Sequence, residues 1–225
     1  MTGGEPLADL TWPEAAERAG AVLVVPLGAT EQHGPHLPVS TDTDVAVALA
    51  GRVAGRADVV VAPALPYGAS GEHAGFAGTL SIGQAALEQV LVELVRSASA
   101  GFDRVLLLNA HGGNAATVER AVRQLRAEQH DVRAWSPRWR GDAHAGRTET
   151  SVQLALGRRV LTDRAAAGAT APLAELLPAL RRDGVRGVSP NGVLGDPAGA
   201  HAGEGEQLLA AAAADLARLL DGWTR

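Results

Sequence analysis

The run Ala21-Val22-Leu23-Val24-Val25-Pro26-Leu27 is apolar throughout, and the turn after it carries Glu31-Gln32-His33-Gly34-Pro35-His36, then Asp42 and Asp44. Unbroken rather than alternating hydrophobicity marks a strand covered on both faces, the habit of a parallel sheet. Similar runs lie at 58–62 and 104–109, with a shorter one at 131–135. Helical patterns separate them. One spans about 44–53, one spans 84–100 with Leu87, Val90, Leu91, Leu94 and Val95 on a single face, and one spans about 115–128. This alternation predicts an α/β fold, a mostly parallel sheet flanked by helices on both faces. A further helix is expected from about Thr148 and another over 204–220, with 184–203 before it as a long ordered loop. No repeat or linker divides the chain, so residues 1–225 are expected to form a single domain.

With 225 residues, 46% apolar and 20% charged, the chain is long enough to bury one sizeable core. A net charge of −5 and the lack of any Lys/Arg block offer no basic field, so no nucleic-acid partner is expected. There is no cysteine, which removes disulfides, thiolate zinc sites, iron–sulfur clusters and cysteine nucleophiles together. No apolar stretch approaches the ~20 residues that span a bilayer, and the acidic amino terminus lacks a signal-peptide layout. A cytoplasmic protein without a membrane partner is the expectation.

The chemistry concentrates in the loops after the strands. Glu31 and His33 follow the first, Glu72 and His73 the second, and His111 the third. Ligands of an open parallel sheet gather at the carboxyl ends of its strands, so these groups are expected on one edge. Glu31-x-His33 puts two ligands on one side of an extended segment, and Asp42 returns a carboxylate to them. The competing reading makes Asp42 or Asp44 a helix cap and Glu31 a solvated carboxylate. Imidazole with carboxylate is a donor set that zinc, manganese and ferrous iron accept. His36 reads equally as a substrate contact or a supporting group.

Asn109-Ala-His111-Gly112-Gly113-Asn114 lies between strand and helix, where glycines let backbone approach a ligand and a helix start offers N–H groups. A serine-hydrolase reading of His-Gly-Gly fails, because no Gly-x-Ser-x-Gly elbow is present. In His144-Ala-Gly-Arg147-Thr-Glu149, Glu149 is either a late metal ligand or an acidic residue at a helix start, and His144 a candidate for proton transfer. Glu72, His73, Gly112 and Gly113 are candidates for shaping a pocket and touching substrate, with a plain loop as the alternative for Glu72 and His73.

Taken in order along nearly the whole chain, these motifs and the late Gly192-Val-Leu-Gly195-Asp196 resemble the creatininase-like amidohydrolase family. The resemblance implies a Rossmann-like subunit, two divalent metal ions, hydrolysis of amide C–N bonds, and a ring-like homo-oligomer such as a hexamer. Carried over, Glu31 and His111 would serve one metal and His33 the other, with Asp42 bridging and His144 handling protons. Creatininase has a glutamate where this chain has Gly113, which leaves the second metal a ligand short; Glu149 is the expected replacement. It also has a tryptophan where this chain has Arg140, which argues against creatinine as substrate.

The stretch Gly71-Glu72-His73-Ala-Gly-Phe76-Ala-Gly-Thr79 is similar to the mycofactocin-system branch, whose members are peptidases that trim a modified Val-Tyr end from a precursor peptide. Arg138, Arg140 and Arg147 would suit a carboxylate on such a substrate. The expected chemistry is attack of a metal-activated hydroxide on an amide carbonyl, with backbone near Gly112 and Gly113 steadying the oxyanion. A small-molecule amidase or deformylase of the same family, and a metal-binding scaffold without turnover, are the alternatives.

Overall fold

The computed structural model describes residues 6–139 and 141–223. Among them, after the short helix α1 (Trp12–Ala16), come β1 (Val22–Leu27), α2 (Thr41–Val53), β2 (Val59–Val61), α3 (Gln84–Ala98), β3 (Arg104–Asn109), α4 (Ala115–Ala127), β4 (Val132–Trp135), α5 (Arg147–Ala155), α6 (Leu173–Val188) and α7 (Ala202–Asp221). The four strands form one sheet in the order β2-β1-β3-β4, parallel at every pairing. No helix is long and apolar enough to cross a membrane.

The apolar runs work by period two. Leu23, Val25, Leu27, Val105 and Leu107 enter the core beneath α3 and α4, together with Leu87, Leu91 and Leu125. Their neighbours Val22, Val24, Leu106 and Leu108 enter the opposite core beneath α2, α5 and α7, against Leu49, Leu209 and Leu216. Successive side chains of a strand face opposite sides, so a sheet covered twice needs apolar residues at every position. Such side chains each contribute about 1.5–3 kcal/mol on burial.

Two expectations change. The segment 184–203 is not all loop, because α6 extends through Val188. Pro178 and Gly184 disguise this helix in the sequence; Gly184 adopts φ 67° and kinks it into two helical pieces. The helix expected from about Asp44 begins instead at Thr41, which moves Asp42 into its first turn.

Contact between α5 and α7 is close enough to require a glycine. A Cβ on Gly205 would overlap the Ser151 carbonyl and lie 2.8 Å from Ala155 Cβ. Gly205→Ala should therefore destabilise the fold by about 1–3 kcal/mol, the usual result of overpacking. Thermal denaturation measures this; an unchanged midpoint would show that the two helices separate easily.

Candidate metal centre

Each loop after a strand delivers a side chain to one cavity of about 390 Å³. Glu31 comes from the loop after β1, His73 from a turn after β2, His111 from the end of β3, and Asp42 and Glu149 from the first turns of α2 and α5. Asn114 ties these loops together. Its Oδ1 accepts from Ala69 N–H (2.8 Å), and its Nδ2 donates to the Gly28 carbonyl (3.0 Å) and to Asn109 Oδ1 (3.2 Å). Gly28 is pressed against Thr43, leaving no room for a side chain where the β1 loop meets α2.

Asp42 stands between two imidazoles, with Oδ1 3.3 Å from His33 Nε2 and Oδ2 3.0 Å from His111 Nδ1. Glu31 Oε2 is 3.3 Å from His111 Nε2, while its Oε1 is 3.3 Å from His73 Nε2 and 3.8 Å from His144 Nδ1. Glu149 Oε2 lies 3.9 Å from His33 Nε2 and accepts a 2.6 Å hydrogen bond from Ala145 N–H.

Backbone carbonyls orient three of the rings. A carbonyl only accepts, so the neutral rings donate from His33 Nδ1 to Glu31 O (3.2 Å), His111 Nε2 to Ala69 O (3.1 Å) and His144 Nε2 to Gln32 O (2.8 Å). This leaves lone pairs on His33 Nε2, His111 Nδ1 and His144 Nδ1, facing the carboxylates. Carbonyl partners behind the rings are the usual support of imidazole ligands.

Without a bound cation, the carboxylates draw protons onto two of these rings, protons that a metal would displace. Burial opposes a charged His33, yet Asp42, Glu149 and Glu31 outweigh it and push its pKa up to about 10. At His111 burial loses likewise to Asp42 and Glu31, and the value reaches about 9. Burial and Asp42 push Glu31 up to about 8, and burial raises Glu149. Burial also opposes ionisation of Asp42, but His33 and His111 hold it well below the usual carboxylate range. Burial and the neighbouring imidazoles lower His73 to about 3 and hold His144 well below the usual imidazole range, so both stay neutral.

Buried Glu31 Oε1 and Oε2, Asp42 Oδ2 and His33 Nε2 have no hydrogen-bond partner. Orphaned buried polar atoms are uncommon, and these four converge. Their donor atoms group as Glu31–Asp42–His111, His33–His144–Glu149 and Glu31–His73–His144, each within 4.8 Å. An oxygen and imidazole set without thiolate fits zinc, manganese or ferrous iron. Chelation should lower the thermal midpoint by about 5–10 °C, because a ligand at 100 times its Kd stabilises by about 2.7 kcal/mol. Adding zinc or manganese back should restore it; a midpoint indifferent to both would count against a cation here.

Glu31, His33, Asp42, His111, His144 and Glu149 thus converge. Glu72, His73, Gly112 and Gly113 line the cavity beside them. His36 does not line it; it is buried with Nε2 2.9 Å from Thr150 Oγ1, a contact to α5. Arg140 lies outside the described residues. Arg147 is paired with Glu204 at 2.8 Å, and Arg138 lines a separate cavity with Trp135 and Trp139.

Two features had no reading from sequence. Gln32 is buried between the ligands, its Nε2 2.9 Å from His73 Nδ1 and 3.0 Å from the Gly192 carbonyl, its Oε1 accepting from Gly34 N–H. Its partners His73 and Gly192 lie 41 and 160 residues away in the chain, which is why it reads as filler. The other is the cavity's outer wall of Leu173, Leu177, Leu180, Arg181 and Val185, all on α6.

Fold and site together define an α/β protein with a buried candidate metal centre at the carboxyl edge of a parallel sheet. A family model described as creatinine amidohydrolase matches residues 8–220. The mycofactocin precursor peptide peptidase of Mycobacterium ulcerans (strain Agy99) is 50% identical over 226 residues, covering 95% of this chain and 87% of that protein. Its namesake from Mycolicibacterium smegmatis (strain ATCC 700084 / mc(2)155) is 52% identical over 198 residues, covering 84% and 80%. The solved structure of creatinine amidohydrolase (creatininase) superposes with a TM-score of 0.81 at 28% identity over 97% of both chains. A Zn–Zn form of a glutamate-to-glutamine creatininase variant superposes at 0.79, with 27% identity over 97% of both. The chain belongs to the creatininase family, and it is a hydrolase of amide bonds.

Proposed function

We propose that this chain cleaves the modified, Val-Tyr-derived end from a mycofactocin precursor peptide. The observation that carries the reading is identity at half the aligned positions to peptidases of that name, along nearly the whole chain. Two ions drawn from zinc, manganese and ferrous iron would be held, one by Glu31, Asp42 and His111, the other by His33, Asp42 and Glu149. Bound there, such ions supply Lewis acidity, polarising a carbonyl and lowering the pKa of water toward about 7.

The chain's own groups do the rest. His144 Nδ1 carries a lone pair facing Glu31, so it takes a proton from the attacking water and returns it to the leaving amine. The Gln32 carbonyl holds the opposite ring nitrogen and fixes the ring's orientation through that exchange. Glycine at 112 and 113 lets the scissile amide approach the backbone. The leucines of α6 exclude water and provide an apolar rest for a peptide side chain. Exposed Trp12, Val47 and Leu80 are surface that a homo-oligomeric ring would cover.

The test is incubation of metal-loaded protein with a precursor peptide carrying the modified end, followed by mass spectrometry. The expected products are the shortened peptide and the released fragment. An intact peptide alongside turnover of formamides would select the small-molecule amidase, and stoichiometric metal without any turnover would select the scaffold.

A further inference from the structure

We propose that Arg181 reads a carboxylate on the substrate and makes this enzyme selective for anionic, apolar peptides. The inference rests on the peptidase reading and names a recognition element that the family motifs do not contain. Leu173, Leu177, Leu180 and Arg181 recur at helical spacing, so one face of α6 walls the cavity over the metal ligands. Leu173 and Leu177 are 46% and 37% exposed, so this apolar face stands open to a ligand. Among the described residues, Arg181 is the only arginine or lysine lining that cavity, and it makes no ion pair or hydrogen bond.

Its neighbours are otherwise engaged. Arg182 pairs with Asp183 at 2.7 Å, and Arg186 donates to the Gly75 carbonyl at 2.7 Å. The second of these bonds ties the segment after Gly184 to the chain just beyond the turn that carries Glu72 and His73. Glu72, the most exposed of the lining carboxylates, has His111 rather than Arg181 as its ion-pair neighbour, at 3.8 Å. A free guanidinium above an apolar wall offers paired hydrogen bonds to a planar carboxylate while the leucines take the adjoining side chain.

The carboxylate has two sources, the carboxyl terminus of the peptide or an acidic side chain upstream of the scissile bond. Four peptides separate them: free acid or terminal amide, each with aspartate or asparagine upstream. Both kcat/KM and, by calorimetry on the zinc-loaded protein, Kd are read for wild type, Arg181→Gln and Arg181→Lys. Wild type is expected to favour one carboxylate over its neutral partner about tenfold, mainly in KM and Kd. Arg181→Gln should bring that ratio close to 1, and Arg181→Lys should restore part of it. A wild-type ratio near 1 in both arms, or a ratio that survives in Arg181→Gln, overturns the proposal. Because Kd is read without turnover, a protein that binds selectively but cleaves none of the four would sink the peptidase reading and leave this one standing.

Discussion

Asp42→Ala is expected to remove metal and turnover together, with metal content falling toward zero and kcat/KM dropping at least about 10³-fold. The size follows from position. Asp42 directs one oxygen at His33 and the other at His111, at 3.3 and 3.0 Å, so it links the two imidazoles. Its place in the first turn of α2 adds the favourable field of a helix amino terminus, which helps it stay ionised though buried. Asp42→Asn keeps the shape and loses the charge; it should resemble the alanine variant in metal content. Elemental analysis after desalting, with amide hydrolysis measured on the same sample, reads both quantities. Full metal with full turnover in either variant would discard the bridging role.

The second large effect is expected at Gly113. A Cβ there would overlap Glu72 Oε1 and His111 Nε2 and lie 2.6 Å from the Ala69 carbonyl. Glu72 can swing aside, since its end is flexible. His111 cannot, because its Nε2 is held by Ala69 O and its Nδ1 faces Asp42. Gly113→Ala should thus destabilise the fold by about 1–3 kcal/mol and weaken metal binding at least tenfold, read by competition with a chromophoric chelator. Gly113→Glu, which restores the residue type creatininase carries there, should do worse rather than better. Tighter metal binding in that variant would mean that Glu149 does not stand in for the missing glutamate.

How far the sequence could be read is clearest at particular residues. The apolar runs at β1 and β3 declared themselves, since only a strand buried twice needs unbroken hydrophobicity. Glu31-x-His33 and the third-strand His111 were legible for a related reason: a parallel sheet sends its loop residues to one edge whatever the detailed packing. Asp42 and Asp44 were harder. Both suit a helix start, and only the observed first residue, Thr41, separates them. Two positions along a helix turn side chains to opposing sides, so Asp42 enters the site while Asp44 meets Ser40 and Arg158 at 2.9 Å. Gln32 and the inner face of α6 were illegible, because their roles depend on partners distant in the chain.

Sequence by itself determined the parallel α/β layering and the kinds of donor atom available, because periodicity and side-chain chemistry are local properties. It also named the residues whose loops had to meet. Tertiary structure decided which ring nitrogen faces a carboxylate, that Glu149 reaches within 3.9 Å of His33, and that Arg181 rather than Arg147 stands at the cavity. Those outcomes rest on backbone carbonyls and helix positions brought together across more than a hundred residues, and no short window of sequence contains them.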